Sequence, residues 1–95
     1  MKAYWVAIYK SLDNTDNLEK YKEIASTAIK NFNGKFLVRG GKSKTLEGPD
    51  SPRTVIIEFS SLDDAVNCYH SEEYQKAKKV AGKIFNRQIQ IVEGI

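Results

Sequence analysis

Apolar and polar residues recur along the chain in two periods, and the switches between them mark its elements. Residues 3 to 10 (Ala-Tyr-Trp-Val-Ala-Ile-Tyr-Lys) are aromatic, β-branched and free of breakers, which predicts a first strand. From Asp16 the apolar residues Leu18, Tyr21, Ile24, Ala25, Ala28, Ile29 and Phe32 return every three or four positions and share one helical face. Asp16 with Glu19 reads as the start of that helix, and Asn33-Gly34 as its stop. Lys35 to Arg39 predicts a second strand, interrupted or bulged at Gly40-Gly41 and resuming through Lys42 to Leu46 if the break is only local. The run Glu47-Gly48-Pro49-Asp50-Ser51-Pro52 holds both prolines and is a turn or loop. Arg53 to Phe59 alternates as a third strand, with Val55, Ile57 and Phe59 on one face. Ser61 with Asp64 caps a second helix whose stripe is Leu62, Ala65, Val66 and Tyr69. Ser71-Glu72-Glu73 restarts it with the stripe Tyr74, Ala77, Ala81 and Ile84, so a break falls near His70 and Ser71. Arg87 to Glu93 alternates again and predicts a last strand.

The order is β-α-β-β-α-β with a split second helix. It predicts a ferredoxin-like α+β sandwich: a four-stranded antiparallel sheet with the helices on one face. With 95 residues the chain makes one domain, residues 1–95, too short for a (β/α)8 barrel or a doubly wound dinucleotide fold. A chain of this size has a core but little stability in reserve, so a second copy would help it. An apolar share of 41% with 28% charged residues is ordinary for a soluble globular protein, and the net charge of +3 falls short of a nucleic-acid-binding excess. The single cysteine, Cys68, has no internal partner, and no apolar run has the length of about 18 residues that a membrane helix needs. The expectation is a cytoplasmic protein with neither membrane nor nucleic-acid partner.

The face of the sheet turned away from the helices matters most for function. With Val55, Ile57 and Phe59 toward the helices, Thr54, Ile56 and Glu58 lie on the open face. The same reasoning turns Tyr4, Val6 and Ile8 inward and leaves Trp5, Ala7 and Tyr9 on the open face. Phe36 and Val38 point inward, whereas Lys35, Leu37 and Arg39 do not, and the last strand adds Gln88, Gln90 and Val92 to the open side. A hairpin centred on Gly48-Pro49 sets Arg39 opposite Glu58, and a bulge at Gly40-Gly41 would shift that register by one. So large an apolar face marks an interface or a ligand site, which implies a face-to-face homodimer with a pocket between the sheets or between sheet and helix.

The segments Tyr4-Trp5-Val6-Ala7, Gly34-Lys35-Phe36-Leu37-Val38-Arg39-Gly40-Gly41, Arg53-Thr54-Val55-Ile56-Ile57-Glu58-Phe59 and Tyr69-His70-Ser71-Glu72-Glu73-Tyr74-Gln75 resemble the bacterial family called domain of unknown function 1330. The resemblance spans nearly the whole chain. It implies the dimeric α+β barrel form of the ferredoxin-like fold and a small cytosolic protein without an established activity. Cofactor-independent monooxygenases and muconolactone isomerases share that architecture, which is an analogy of fold alone.

The residues leave two classes of function open. In the first, a small organic molecule, anionic or aromatic, binds in a pocket lined by Trp5, Tyr9, Arg39, Glu58 and Tyr74. Arg39 then holds the substrate, and Glu58 or His70 moves a proton in cofactor-independent proton transfer or oxygenation. In the second the protein is a non-catalytic binding or interaction module. Arg39 and Glu58 are then a structural ion pair, Trp5 and Tyr9 anchor the dimer, and His70 caps carbonyls or faces solvent. Cys68 and His70, two apart on a helix, diverge by about 200°, which disfavours a nucleophile pair and leaves Cys68 as a buried structural residue. One His and one Cys make no dedicated metal site, and no cofactor motif is present. The order also occurs in RNA-recognition domains, but Arg53 to Phe59 lacks their Gly-aromatic pattern.

Overall fold

The alternating segment at the start of the chain becomes a central strand. In the computed structural model, which describes residues 1–12, 15–82 and 85–95, the elements follow in the order β1 (Ala3–Leu12), α1 (Thr15–Asn31), β2 (Lys35–Arg39), β3 (Thr54–Phe59), α2 (Leu62–His70), α3 (Glu72–Ala81) and β4 (Phe85–Glu93). All pairings are antiparallel and the strand order is β2-β3-β1-β4, the ferredoxin-like arrangement. The three helices cover one face. Their alanines, Ala25, Ala28, Ala65, Ala77 and Ala81, are buried with Trp5, Ala7, Tyr9, Val55, Ile57 and Phe59 of the sheet in one core. Small residues let the helices approach the sheet and leave room there for large rings.

The break between α2 and α3 falls where expected. Ser71 has extended backbone (φ −64°, ψ 151°), its hydroxyl donates to Cys68 O at 2.6 Å, and it accepts from the Tyr74 N–H at 3.2 Å. One side chain thus closes α2 and opens α3. Ser61 caps α2 in the same way through the Asp64 N–H. Helix α1 begins at Thr15, so Asp16 lies within its first turn instead of capping it.

Three expectations about side-chain direction are corrected. On β1 it is Ala3, Trp5, Ala7 and Tyr9 that are buried toward the helices, while Tyr4, Val6 and Ile8 line the open face. Pairing requires this, because Trp5 stands opposite Ile57 and Ala7 opposite Val55, which share the helix side. Arg39 does not face Glu58: Lys35 does, and a bulge at Leu37 turns Val38 to the open face, opposite Ile56, and Arg39 to the helix side, opposite Val55. On α2, Leu62 and Val66 are exposed and Cys68 takes the buried place. The chain after Gly40 does not resume as a strand, since Gly40, at φ +69°, makes the last bond to β3 by donating its N–H to Thr54 O. The assignment of Ile84 to the α3 stripe lies outside the described residues. No described helix is long and apolar enough to cross a membrane.

Candidate functional site

On the sheet's helix face one charged side chain, that of Arg87, is hydrogen-bonded to three tyrosines. Opposite Tyr9 on β4 stands Arg87, whose neighbours on the same face are Ile89 and Ile91. Its Nη1 donates to the hydroxyls of Tyr9 at 2.8 Å and Tyr21 at 3.0 Å, and its Nη2 donates to Tyr74 at 2.9 Å. The guanidinium carbon also sits 5.4, 5.1 and 5.0 Å from the ring centroids of Tyr9, Tyr21 and Phe85. No described Asp or Glu pairs with it. Burial opposes its charge, and negative charge on Tyr21, Tyr74 and Tyr9, once those phenols ionise, raises its pKa above the ordinary arginine value.

Each tyrosine comes from a different element: Tyr9 from β1, Tyr21 from α1 and Tyr74 from the first turn of α3, placed there by the Ser71 cap. The Tyr21 and Tyr74 hydroxyls lie 2.5 Å apart. Burial holds both phenols above their ordinary pKa, against the pull of Arg87, so both are neutral at physiological pH. Each phenol has one proton, and all three use an oxygen lone pair on Arg87. Only one of the pair can donate to the other, so two of the three phenolic protons remain to be offered elsewhere.

Arg87 forms a wall of two cavities. The outer one, of about 440 Å³, lies between α3 and β4 and is lined by Tyr69, Lys78, Ala81, Gly82, Phe85, Arg87, Ile89 and Ile91. Lys78 donates to the Tyr69 hydroxyl at 2.9 Å and lies over that ring. Two cations, an aromatic wall and an isoleucine floor therefore meet there, with no acidic lining residue among those described. The inner cavity, about 30 Å³, lies between α1 and the sheet.

Of the residues singled out in the sequence, Trp5, Tyr9 and Arg39 line the inner cavity, and Tyr74 packs edge-on to Trp5 at 4.9 Å. Glu58 lies on the opposite face, held by Lys2 at 3.0 Å, and His70 is exposed at the helix break beside Tyr69. Neither expected proton mover reaches the cluster. Cys68 is fully buried, and burial, with the charge of Glu73, pushes its thiol up to about 12. Among the described residues no group of His, Cys, Asp and Glu side chains could hold a metal ion. Arg87, Lys78 and Tyr21, which meet in the cluster and the outer cavity, are not among the site residues singled out in the sequence. The available signal was Arg87 at the head of an Arg-x-Ile-x-Ile stripe whose alternate positions are glutamines.

Fold and cluster together define a ferredoxin-like α+β protein with a cationic pocket between helix layer and sheet. The chain belongs to the family described as Domain of unknown function (DUF1330), which matches residues 2–95. A protein of unknown function from Rhodopseudomonas palustris is similar in structure, with 13% identity, a TM-score of 0.79, and coverage of 99% of this chain and 82% of that one. A Caulobacter crescentus CB15 protein assigned provisionally to the antibiotic biosynthesis monooxygenases has 16% identity and a TM-score of 0.71, covering 99% and 90%. A Bacteroides fragilis protein of unknown function, described as dimeric and ferredoxin-like, has 15% identity and a TM-score of 0.66, covering 98% and 96%. No curated protein sequence matches.

Proposed function

We propose that the protein binds a small organic anion with an apolar or aromatic body in the outer cavity, its carboxylate on Arg87 and Lys78 and its body on Phe85, Ile89 and Ile91. The observation that carries this reading is the half-buried Arg87 guanidinium bonded only to neutral phenols, with no described acidic partner. Such a charge is costly unless an anion completes it. A volume near 440 Å³ suits a small organic acid. The chemistry within reach is anion binding and stabilisation of an oxyanion by Arg87 and the neutral phenols.

The reading includes a homodimer through the open sheet face. That face carries Val6, Ile8, Ile56 and Val92 beside Gln88 and Gln90, and Ile8 is 42% and Val92 48% exposed. The Bacteroides fragilis neighbour is described as dimeric, which supports pairing. In this arrangement the open face serves self-association and the helix face serves the ligand.

The test is an amide NMR titration with benzoate and, in parallel, neutral benzamide. Benzoate should shift the amides of Gly82, Arg87, Ile89 and Ile91 saturably, benzamide should bind at least tenfold more weakly, and Arg87→Met should abolish the benzoate shifts. Equal binding of the two probes, or shifts confined to the open face, would sink the assignment.

A further inference from the structure

The inner cavity is a separate chemical problem. Its cationic lining consists of Lys22, Arg39, Arg53 and Arg87, of which Lys22 is engaged by Glu19 at 3.3 Å, and no described lining residue is acidic. Arg53 Nε is buried without a hydrogen-bond partner. An orphaned donor on a charged group is among the costlier defects a fold can carry. The backbone is shaped to hold it: Gly40 adopts a left-handed φ of +69°, and a Cβ there would collide with the Arg53 guanidinium.

Donors outnumber acceptors in this space. Ser26 Oγ accepts from Arg39 at 2.6 Å, and Tyr9 Oη accepts from Arg87 at 2.8 Å. Ser26 and Tyr9 each keep a hydroxyl proton to donate, Arg53 keeps its Nε–H, and the cavity's remaining lining is largely apolar. The volume, about 30 Å³, admits one or two atoms and excludes an organic acid. A water molecule would bring two further protons to a place already short of acceptors. A monatomic anion brings only acceptor capacity and negative charge, and matches both deficits.

We infer that the inner cavity binds a halide-sized inorganic anion, held by Arg53 with Arg39 in the positive field of Arg87, at a site distinct from the organic-anion pocket. Two measurements test this: excess ³⁵Cl line broadening in a chloride titration, and anomalous scattering from crystals grown in bromide. Saturable broadening should appear in the wild type, fall at least fivefold in Arg53→Met, and persist in Lys78→Gln, which alters only the outer cavity. The bromide peak should lie in the inner cavity. Absence of saturable broadening, its survival in a folded Arg53→Met variant, or an inner cavity holding only water would overturn the inference. Should Arg53→Met fail to fold, the bromide map of the wild type decides alone. Because benzoate reports on the outer pocket, either reading can fail while the other stands.

Discussion

Replacing Arg87 and its partner Tyr74 in turn separates a charge kept for binding from one kept for stability. Tyr74→Phe removes the oxygen that accepts from Arg87 Nη2 at 2.9 Å and shares a proton with Tyr21 at 2.5 Å. A hydrogen bond to a charged group contributes roughly 1.5–3 kcal/mol, and leaving the donor buried places the cost toward the upper end. An expected loss of about 2–3 kcal/mol corresponds to roughly 10–20 °C in Tm for a domain of this size. Arg87→Met removes the charge together with its need for solvation. All three tyrosines lose the bond to Arg87, but Tyr21 and Tyr74 keep each other and the thioether packs on Phe85, so the change should stay within about 1 kcal/mol of zero.

The assay is urea unfolding followed by the fluorescence of Trp5, the single tryptophan and only 2% exposed, at several protein concentrations so that dimer dissociation is separated from unfolding. A loss of 3–5 kcal/mol in Arg87→Met would make the guanidinium structural. An unchanged Tyr74→Phe would mean that the phenol bonds contribute nothing. Either result refutes the reasoning.

Alkaline pH should destabilise the fold. Cys68 keeps its proton up to about 12 against an ordinary 9.0, and Tyr21 and Tyr74 are also raised, so stability is full below pH 9 and declines as pH climbs toward 12; the urea midpoint between pH 8 and 11 checks this, and Cys68→Ala should flatten the decline. Gly34→Ala would place a Cβ 2.6 Å from Ile29 Cγ2 and 2.9 Å from Phe59 Cε1, and should cost about 1–3 kcal/mol in the same unfolding experiment. Ile8→Glu, on the open face, should halve the mass measured by light scattering while the far-UV circular dichroism of the protomer is retained, and an unchanged mass would reject that face as the interface.

Period and capping made the elements legible, and strand polarity failed where polarity was absent. In β3 the inward set Val55, Ile57 and Phe59 contrasts with Thr54 and Glu58, so its facing could be read directly. In β1 both alternating sets are apolar, because a central strand meets helices on one side and an apolar open face on the other. Periodicity cannot choose between two apolar faces; pairing with β3 does. The Arg39–Glu58 pair failed for another reason. Hairpin register after a long loop is not encoded by alternation, and the bulge at Leu37 has no glycine to announce it. Arg87 shows the converse. Assigning Gln88, Gln90 and Val92 to the open side already implies that Arg87 points at the helices, but an arginine at a strand's start reads as a solvated end until three tyrosines from other elements are seen to converge on it.

That convergence also accounts for arginine at this position. A guanidinium has five N–H donors in a fixed plane. Nη1 uses both of its protons on Tyr9 and Tyr21, and Nη2 uses one on Tyr74. What remains is the Nε–H and one Nη2–H, the pair that a carboxylate grips with two oxygens. A lysine ammonium has three donors and could match the phenols, but nothing would be left for a ligand. In a small domain with limited core, keeping an unneutralised charge among rings breaks the rule that buried ions are paired, and such breaches concentrate where a protein binds. The tyrosines reduce the cost of holding the charge without cancelling it. A neutral phenol accepts a hydrogen bond and leaves the full positive field for an incoming anion, whereas an aspartate in its place would stabilise the fold and occupy the site.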